Sequence, residues 1–307
     1  MELFRNLLVF ALGILLVVKG GDIFVDAAGG LARGLGLPSF VIGATVVSLA
    51  TTLPEIMVSV LAAAQGKVEM AVGNALGSVT ANTALVLAAG MVFSPRDTLG
   101  KDLKIPCFLL LAAAGSLWVL CAGGSLHWWG SCLLAGLCGC FLWHSVRSAA
   151  VQEAEKSKDS AGKWLWKFLL GAAGIIAGSQ LLVSGGEGLA KKLDVPEQII
   201  AVTLLAVGTC LPELVTALAA VRKGETALSV GNIIGANIID LTLILPLSSL
   251  ASGRALPLTE QVLTVGLPGC AAVMLVAAVP MLLSGKTYRI QGALLWLLYG
   301  CYLMCVI

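Results

Sequence analysis

The sequence predicts an all-α polytopic membrane protein: ten transmembrane helices forming two inverted five-helix repeats, with helices 2 and 7 broken at a shared site. Three observations lead there. The 307 residues are 58% hydrophobic and only 12% charged, where a soluble domain carries about 25% charged residues. Apolar runs near the roughly 20 residues needed to cross a bilayer recur along the whole chain. The two halves also repeat the same residues at a constant spacing of 158 positions.

In order, hydropathy places the spans at roughly 5–28, 38–64, 68–93, 105–122, 127–147, 164–189, 197–221, 226–250, 260–283 and 290–307. The first run, behind Arg5, has the look of a signal peptide. Its counterpart at 168–178 is internal and cannot be cleaved, so the first run is read as a mature helix. Between the fifth and sixth spans, Gln152 to Ser160 is the one sizeable polar stretch, too short for a domain. The expected organisation is a first repeat at 1–147, a linker at 148–163 and a second repeat at 164–307.

The repeat is legible residue by residue. Gly13 matches Gly171, Gly20 matches Gly178 and Pro38 matches Pro196. Without a gap, Leu53-Pro54-Glu55 then matches Leu211-Pro212-Glu213, Gly73-Asn74 matches Gly231-Asn232, and Gly77 matches Gly235. Five spans per half is an odd number, so the second half enters the membrane upside down, as in many secondary transporters. Fourteen Lys and Arg fall on the linker side and five, including Lys67, Lys191 and Arg254, on the other. That bias puts the linker in the cytoplasm and both termini outside. In a prokaryotic cell the expected location is the plasma (inner) membrane.

Trp128, Trp129, Trp164 and Trp166 suit the interfacial belts. The nine cysteines lie without paired spacing or neighbouring histidines and read as small packing residues rather than metal ligands. The net charge of +2 points to no partner class. The expected partners are the bilayer and the ions themselves, with no nucleic acid, no obligate protein partner and no cofactor.

The chemistry concentrates at the breaks. Pro54 and Pro212 cannot donate a backbone hydrogen bond and crowd the carbonyl one turn earlier, which is expected to open the second span near Ala50 and Thr51 beside Glu55. Thr45, Ser48, Thr52, Glu55 and Ser59 recur at helical spacing on one face. In the third span Asn74, Ser78 and Asn82 do the same, and Asp240 in the eighth span is the counterpart of Asn82. Three carboxylates, Glu55, Glu213 and Asp240, thus lie in four spans with no deep Lys or Arg. Each ionised group at mid-membrane costs roughly 2.5–3.5 kcal/mol even on lenient scales, so these groups must be protonated, hydrated or bound to cations.

The surrounding oxygens are hard: the amide of Asn82, the hydroxyls of Thr51, Thr52, Ser78 and Thr209, and the carbonyls freed by the prolines. Such a set suits Ca²⁺ and also Na⁺. No nucleophile or activating base accompanies the acids, which argues against an enzyme. Asn74 and Asn232 are read equally as helix-packing hydrogen bonders or ligands, and Ser48 and Ser59 as groups that can bond their own helix.

These motifs resemble the cation/Ca²⁺ exchanger superfamily, especially its compact prokaryotic sodium/calcium exchangers. The family's repeats read Gly-(Thr/Ser)-Ser-x-Pro-Glu and Gly-Asn-x-x-Gly-Ser-Asn-x-x-(Asn/Asp). The resemblance covers about 43–87 and 201–245. It implies exchange of cytosolic Ca²⁺ for external Na⁺ by alternating access. In it, Glu55, Glu213 and the carbonyls of Thr51 and Thr209 would hold Ca²⁺, and Asn82 and Asp240 would complete the centre. Ser48, Thr52, Ser78, Ala206, Cys210 and Ala236 occupy the positions flanking it, where Na⁺ binds. Cys210 and Ala236 stand where the family has Ser, so Na⁺ binding near the second repeat is expected to be weakened. A Ca²⁺/H⁺ antiporter therefore stays open as an alternative. A passive cation channel is the rival of a different class, and the paired, opposed Pro-Glu breaks argue against it.

Overall fold

The computed structural model describes residues 2–93, 103–151, 161–192 and 210–306. Among these, seven helices are long and apolar enough to cross a membrane, or eight if a bent pair counts as one span. In chain order the helices are α1 (Glu2–Leu35), α2 (Ser39–Thr51), α3 (Leu53–Ala64), α4 (Val68–Phe93), α5 (Lys104–Cys121), α6 (Trp128–Val151), α7 (Ala161–Lys192), α8 (Leu211–Arg222), α9 (Thr226–Ser252), α10 (Val262–Ser284) and α11 (Arg289–Val306). The expected seventh span begins outside the described residues, and α8 is its second part.

The bent pair is α2 and α3, which meet at 45°. The expected opening near Ala50 and Thr51 is one residue off: helical geometry lapses at Thr52. Pro54 then sits in the first turn of α3, where its missing N–H would have lacked an intrahelical partner anyway. Proline therefore starts the second segment as much as it ends the first. Across the break the Thr52 N–H still donates to Ser48 O at 2.9 Å, and the Ile56 N–H to Thr52 O at 3.0 Å. Pro54 has no proton to offer Ala50 O.

The spacing of 158 residues persists in three dimensions. Thr52 (φ −81°, ψ −4°) and Cys210 (φ −84°, ψ 0°) enter α3 and α8 with the same backbone conformation. Both helices end alike. The Gly66 N–H bonds Ala63 O and the Lys67 N–H bonds Ala62 O, just as the Gly224 N–H bonds Val221 O and the Glu225 N–H bonds Ala220 O. This closure requires a left-handed residue, and Gly66 (φ +79°) and Gly224 (φ +76°) supply it.

Helices α4 and α9 each contain a π-helical turn, Asn82–Leu87 and Asp240–Ile244, starting at equivalent residues. Hydropathy and spacing do not distinguish either turn from plain α-helix. A short antiparallel pairing of Ser125–Leu126 with Leu256–Pro257 ties the connection between α5 and α6 to the one between α9 and α10.

Two packing units carry the fold. The larger core is built from α4, α5, α9 and α10, with α6 and α11 around it. The second is the antiparallel pair α1 and α7, which packs on α2 and α8. At about 1.5 Å per residue, the 34-residue α1 is longer than a bilayer core is thick. Its contact with α7 rests on glycine: a Cβ at Gly171 would sit 2.6 Å from the Phe24 nitrogen, and one at Gly178 would sit 2.7 Å from the Val17 nitrogen. The contacts are reciprocal. Gly13 faces Gly178 and Gly20 faces Gly171; Trp164 covers Gly30 and its counterpart Asn6 covers Gly188. Trp164 is thus a packing residue, whereas Trp128, Trp129 and Trp166 are exposed on the outer surface as an interfacial role requires.

The outer surface is otherwise lined with Leu, Ile, Val and Phe side chains, as a bilayer-facing surface demands. None of the nine cysteines is in a disulfide; Cys107, Cys121, Cys138, Cys210 and Cys270 are buried.

Gly171→Leu should separate α1 from α7, because backbone rather than a flexible side chain opposes the new group. Overpacking of this kind costs about 1–3 kcal/mol or more. The check is thermal unfolding in detergent, with Gly136→Ala on the exposed face of α6 as a control that should not lower stability.

Candidate ion-binding site

The two Pro-Glu motifs bring their acids to the centre of the larger core. Helix α3 packs against the π turn that begins at Asp240, and α8 packs against the π turn that begins at Asn82. Each acid-bearing helix from one half therefore crosses the polar turn of the other. Helix α9 fits against α2 because it is bare there: Gly231 lies against Phe40 O, and Gly235 against Ala44 O and the Ser48 hydroxyl. By the register, the partner of Gly73 and Gly77 falls at 198–206, outside the described residues.

Most of the expected site residues are buried together. Glu55, Glu213, Asp240 and Ser48 are fully inaccessible, and Thr51, Thr52, Ser78 and Asn82 are within 3% of it. Thr209 and Ala206 lie outside the described residues, so they are placed by register alone. Cys210 and Ala236, standing at the expected serine positions, are buried too.

The three carboxylates lie close enough for their charges to act on one another: Glu213 and Asp240 on Glu55, and Glu213 on Asp240. Both oxygens of Glu55, both of Asp240 and one of Glu213 lack any hydrogen-bond partner, as do the Ser78 hydroxyl and the Asn82 carbonyl oxygen. Buried polar atoms are nearly always paired. A concentration of orphaned acceptors with no cationic side chain is the electrostatic shape of a site that takes cations. Among the described residues no three His, Cys, Asp or Glu side chains are grouped to hold a metal by themselves. Coordination has to draw on hydroxyl, amide and backbone oxygens as well, which favours hard cations.

The halves differ where their sequences differ. The Thr52 hydroxyl donates to Glu213 Oε1 at 3.5 Å. Its counterpart, Cys210, directs its thiol to Ser78 O at 3.9 Å, and Glu55 is left with neither oxygen bonded. Asn74 and Asn232 also behave differently. The Asn74 amide donates to the Ser59 hydroxyl at 2.9 Å and to Glu55 O at 3.4 Å, bracing α3 against α4. Ala217 replaces Ser59 in the second half. Asn232 instead accepts from the Thr51 hydroxyl at 3.2 Å, reaching across to the break of the first half. Ser48 and Thr51 also donate to Thr45 O and Ser48 O along their own helix.

Three residues beside the site were not anticipated. The Asn237 amide donates to the Thr83 hydroxyl at 2.7 Å, both fully buried, and links the residue after Asn82 to the helix that carries Asp240. A signal existed: their repeat counterparts, Val79 and Leu241, are apolar, so the register sets a polar pair against an apolar one. Thr216, one turn beyond Glu213, is buried with its hydroxyl unpaired.

The sequence profile of the sodium/calcium exchanger protein family matches residues 5–147 and 163–307. Among characterised chains, the sodium/calcium exchanger MaX1 of Methanosarcina acetivorans is 28% identical over 97% of both chains. The inner membrane protein YrbG of Escherichia coli is 36% identical over 78% of this chain and 77% of its own. Among solved structures, the sodium-calcium exchanger NCX_Mj soaked with Na⁺ and Sr²⁺ superposes with a TM-score of 0.88 at 30% identity, covering 98% of this chain and 99% of that one.

The Asn74–Ser59 brace gives a measurable coupling. Asn74→Ala and Ser59→Ala should each destabilise the protein by about 1 kcal/mol, and the double variant should cost little more than the larger single change. Denaturant unfolding in micelles measures both, and strict additivity would refute the brace.

Proposed function

The chain belongs to the sodium/calcium exchanger family, and from that premise we propose that it is a secondary antiporter exchanging Ca²⁺ for Na⁺ by alternating access. The observation that carries the reading is the trio Glu55, Glu213 and Asp240, buried without cationic partners and with five of six carboxylate oxygens unbonded. Glu55 and Glu213 hold Ca²⁺ with the carbonyls of Thr51 and Thr209, and Asn82 and Asp240 complete the centre. Ser48, Thr52, Ser78 and the position of Ala206 serve the flanking Na⁺ ions. The chain uses no cofactor, and the ions are its substrates.

Competition at one site supplies the coupling. Ca²⁺ draws the two glutamates together, whereas Na⁺ occupies the same oxygens in a different pattern. Either load cancels the buried charge. An unloaded site stays charged and crosses reluctantly, at several kcal/mol per uncompensated ion, which favours exchange over leak. The architecture behind this reading is ten spans in two inverted repeats, 1–147 and 164–307, joined by a cytoplasmic linker at 148–163. Helices 2 and 7 are broken, the termini lie outside, and the plasma membrane is the site of action. The equivalent backbone at Thr52 and Cys210 and the reciprocal glycine contacts of α1 and α7 support the inversion.

A second counter-ion has one observation in its favour. Cys210 and Ala236 present sulfur and a methyl where hydroxyls would serve Na⁺, and Glu55, the acid that Cys210 would assist, is the barer of the two glutamates. A proton on a carboxylate can take the place of a missing Na⁺. ⁴⁵Ca²⁺ uptake into liposomes under an imposed Na⁺ or pH gradient separates the readings, and conductance without countertransport would identify a channel instead.

Glu55→Gln or Glu213→Gln should abolish ⁴⁵Ca²⁺ uptake while leaving the detergent-solubilised protein monodisperse; retained uptake in either overturns the site. Cys210→Ser combined with Ala236→Ser should raise the Na⁺ moved per Ca²⁺. An unchanged ratio would show that Na⁺ binding near the second repeat is already intact.

A further inference from the structure

The reciprocal register of the two halves sets up a comparison between the two membrane faces. On one face α1 lies along α8. The Lys223 ammonium, at the end of α8, reaches Asp26 Oδ1 at 2.6 Å and donates to Asp22 O at 2.7 Å. Beside it the Arg33 guanidinium approaches Glu225 Oε1 at 3.7 Å. Gly29 lies beneath this second pair, where a Cβ would come 3.4 Å from both Arg33 and Glu225. A positive charge at the end of α8 and a negative one at the start of α9 also suit the helix dipoles.

Register transfers the same contact to the opposite face as α7 along α3. Among the described residues α7 does not pack on α3 as α1 packs on α8. The residues are also less complementary there. Gln65 stands for Lys223, Gln180 for Asp22 and Ser184 for Asp26. Lys67 stands for Glu225 and Lys191 for Arg33, so neither pair of the first face has its register counterpart on the second.

We propose that Lys223 with Asp26, and Arg33 with Glu225, form a latch that holds α1 on α8 and biases the transporter toward the state closed on the Lys223 face and accessible from the Lys67 face. Shifting the α1–α7 pair, which packs outside the larger core, to the reciprocal position would break both ion pairs without forming their register counterparts. Exposed pairs are individually weak, and Asp26 is 62% exposed. A modest bias is nonetheless what a carrier that must cycle can tolerate. A latch of this kind leaves the site's intrinsic affinity alone. It acts on the fraction of molecules presenting the site to each side, and apparent affinity scales with that fraction.

The inference rests on the antiport reading, and two kinds of measurement keep them apart. Hydrogen exchange in nanodiscs needs no transport. Lys223→Gln, which installs the opposite face's residue, should speed backbone exchange around 22–35 and 222–226. Exchanging the charges, Lys223→Asp with Asp26→Lys, should restore protection. In oriented vesicles, Lys223→Gln should improve apparent Ca²⁺ affinity from the Lys223 face by roughly threefold and worsen it by less from the Lys67 face. Gln65→Lys with Ser184→Asp, which transplants the latch, should weaken it from the Lys67 face. Unchanged exchange, or affinities that move equally in the same direction on both faces, would overturn the latch. Loss of uptake by the unmodified protein would instead refute antiport while leaving the exchange result to judge the latch.

Discussion

Burying negative charge without positive side chains is the constraint on which the rest of this structure depends. Glu55, Glu213 and Asp240 sit at the centre of the larger core with most of their oxygens unbonded. In a stable soluble protein such a cluster would be a defect, since each unpaired buried ion costs several kcal/mol. The arrangement makes sense if the missing partner is mobile. The polar residues are correspondingly divided: in α3, α4, α8 and α9 the only Lys or Arg is Arg222, at the end of α8, and the interior holds carboxylates, amides and hydroxyls. Helix breaks supply what side chains alone do not, because irregular backbone inside a membrane protein is tolerable only where it is buried in protein or lines a polar site.

The duplicated fold solves the geometric side of the same problem. The Pro-Glu helix of each half is met by a π turn from the other, α3 by the turn that begins at Asp240 and α8 by the turn that begins at Asn82. The glycine-lined pair α1 and α7 stays outside this core, bound to it by side-chain packing and by surface charges. Sequence drift between the halves then has functional weight. Ser59 against Ala217 and Asn237 against Val79 each give one half a hydrogen bond that the other lacks, and Thr52 and Cys210 direct theirs to different partners.

Much of this was legible in the residues. Proline followed by glutamate in an apolar run, recurring at a fixed interval, identifies both the break and its acid, because few arrangements tolerate either inside a membrane. The reciprocal contact of Gly13 and Gly20 with Gly178 and Gly171 likewise follows once the register is known. The π turns were not legible. An extra residue per turn depends on how α4 and α9 seat against neighbouring helices, and Asn82-Thr83-Ala84 and Asp240-Leu241-Thr242 would fit an ordinary helix equally well. The break fell at Thr52 rather than a residue earlier because Pro54 is accommodated in the first turn of the new helix, a choice local sequence does not force. Hydrogen-bond partners across the halves, such as Thr51 with Asn232, were likewise hidden, since many residues could have faced either asparagine.

The differences between halves also explain why exact symmetry would be a poor design for a transporter of this kind. Two identical halves would make the two access states equivalent by two-fold rotation and equal in energy, and the direction of preferred access would be left to the ion gradients alone. Replacing a Lys–Asp pair by Gln and Ser at the register-equivalent position breaks that degeneracy without touching the ions. The cost falls on surface charges far from the carboxylates, where a substitution of one or two side chains changes a population rather than an affinity. The site itself is under the opposite pressure. Its glutamates and their preceding Thr-x-Leu-Pro are the same in both halves, while the neighbouring Thr52 and Cys210 differ.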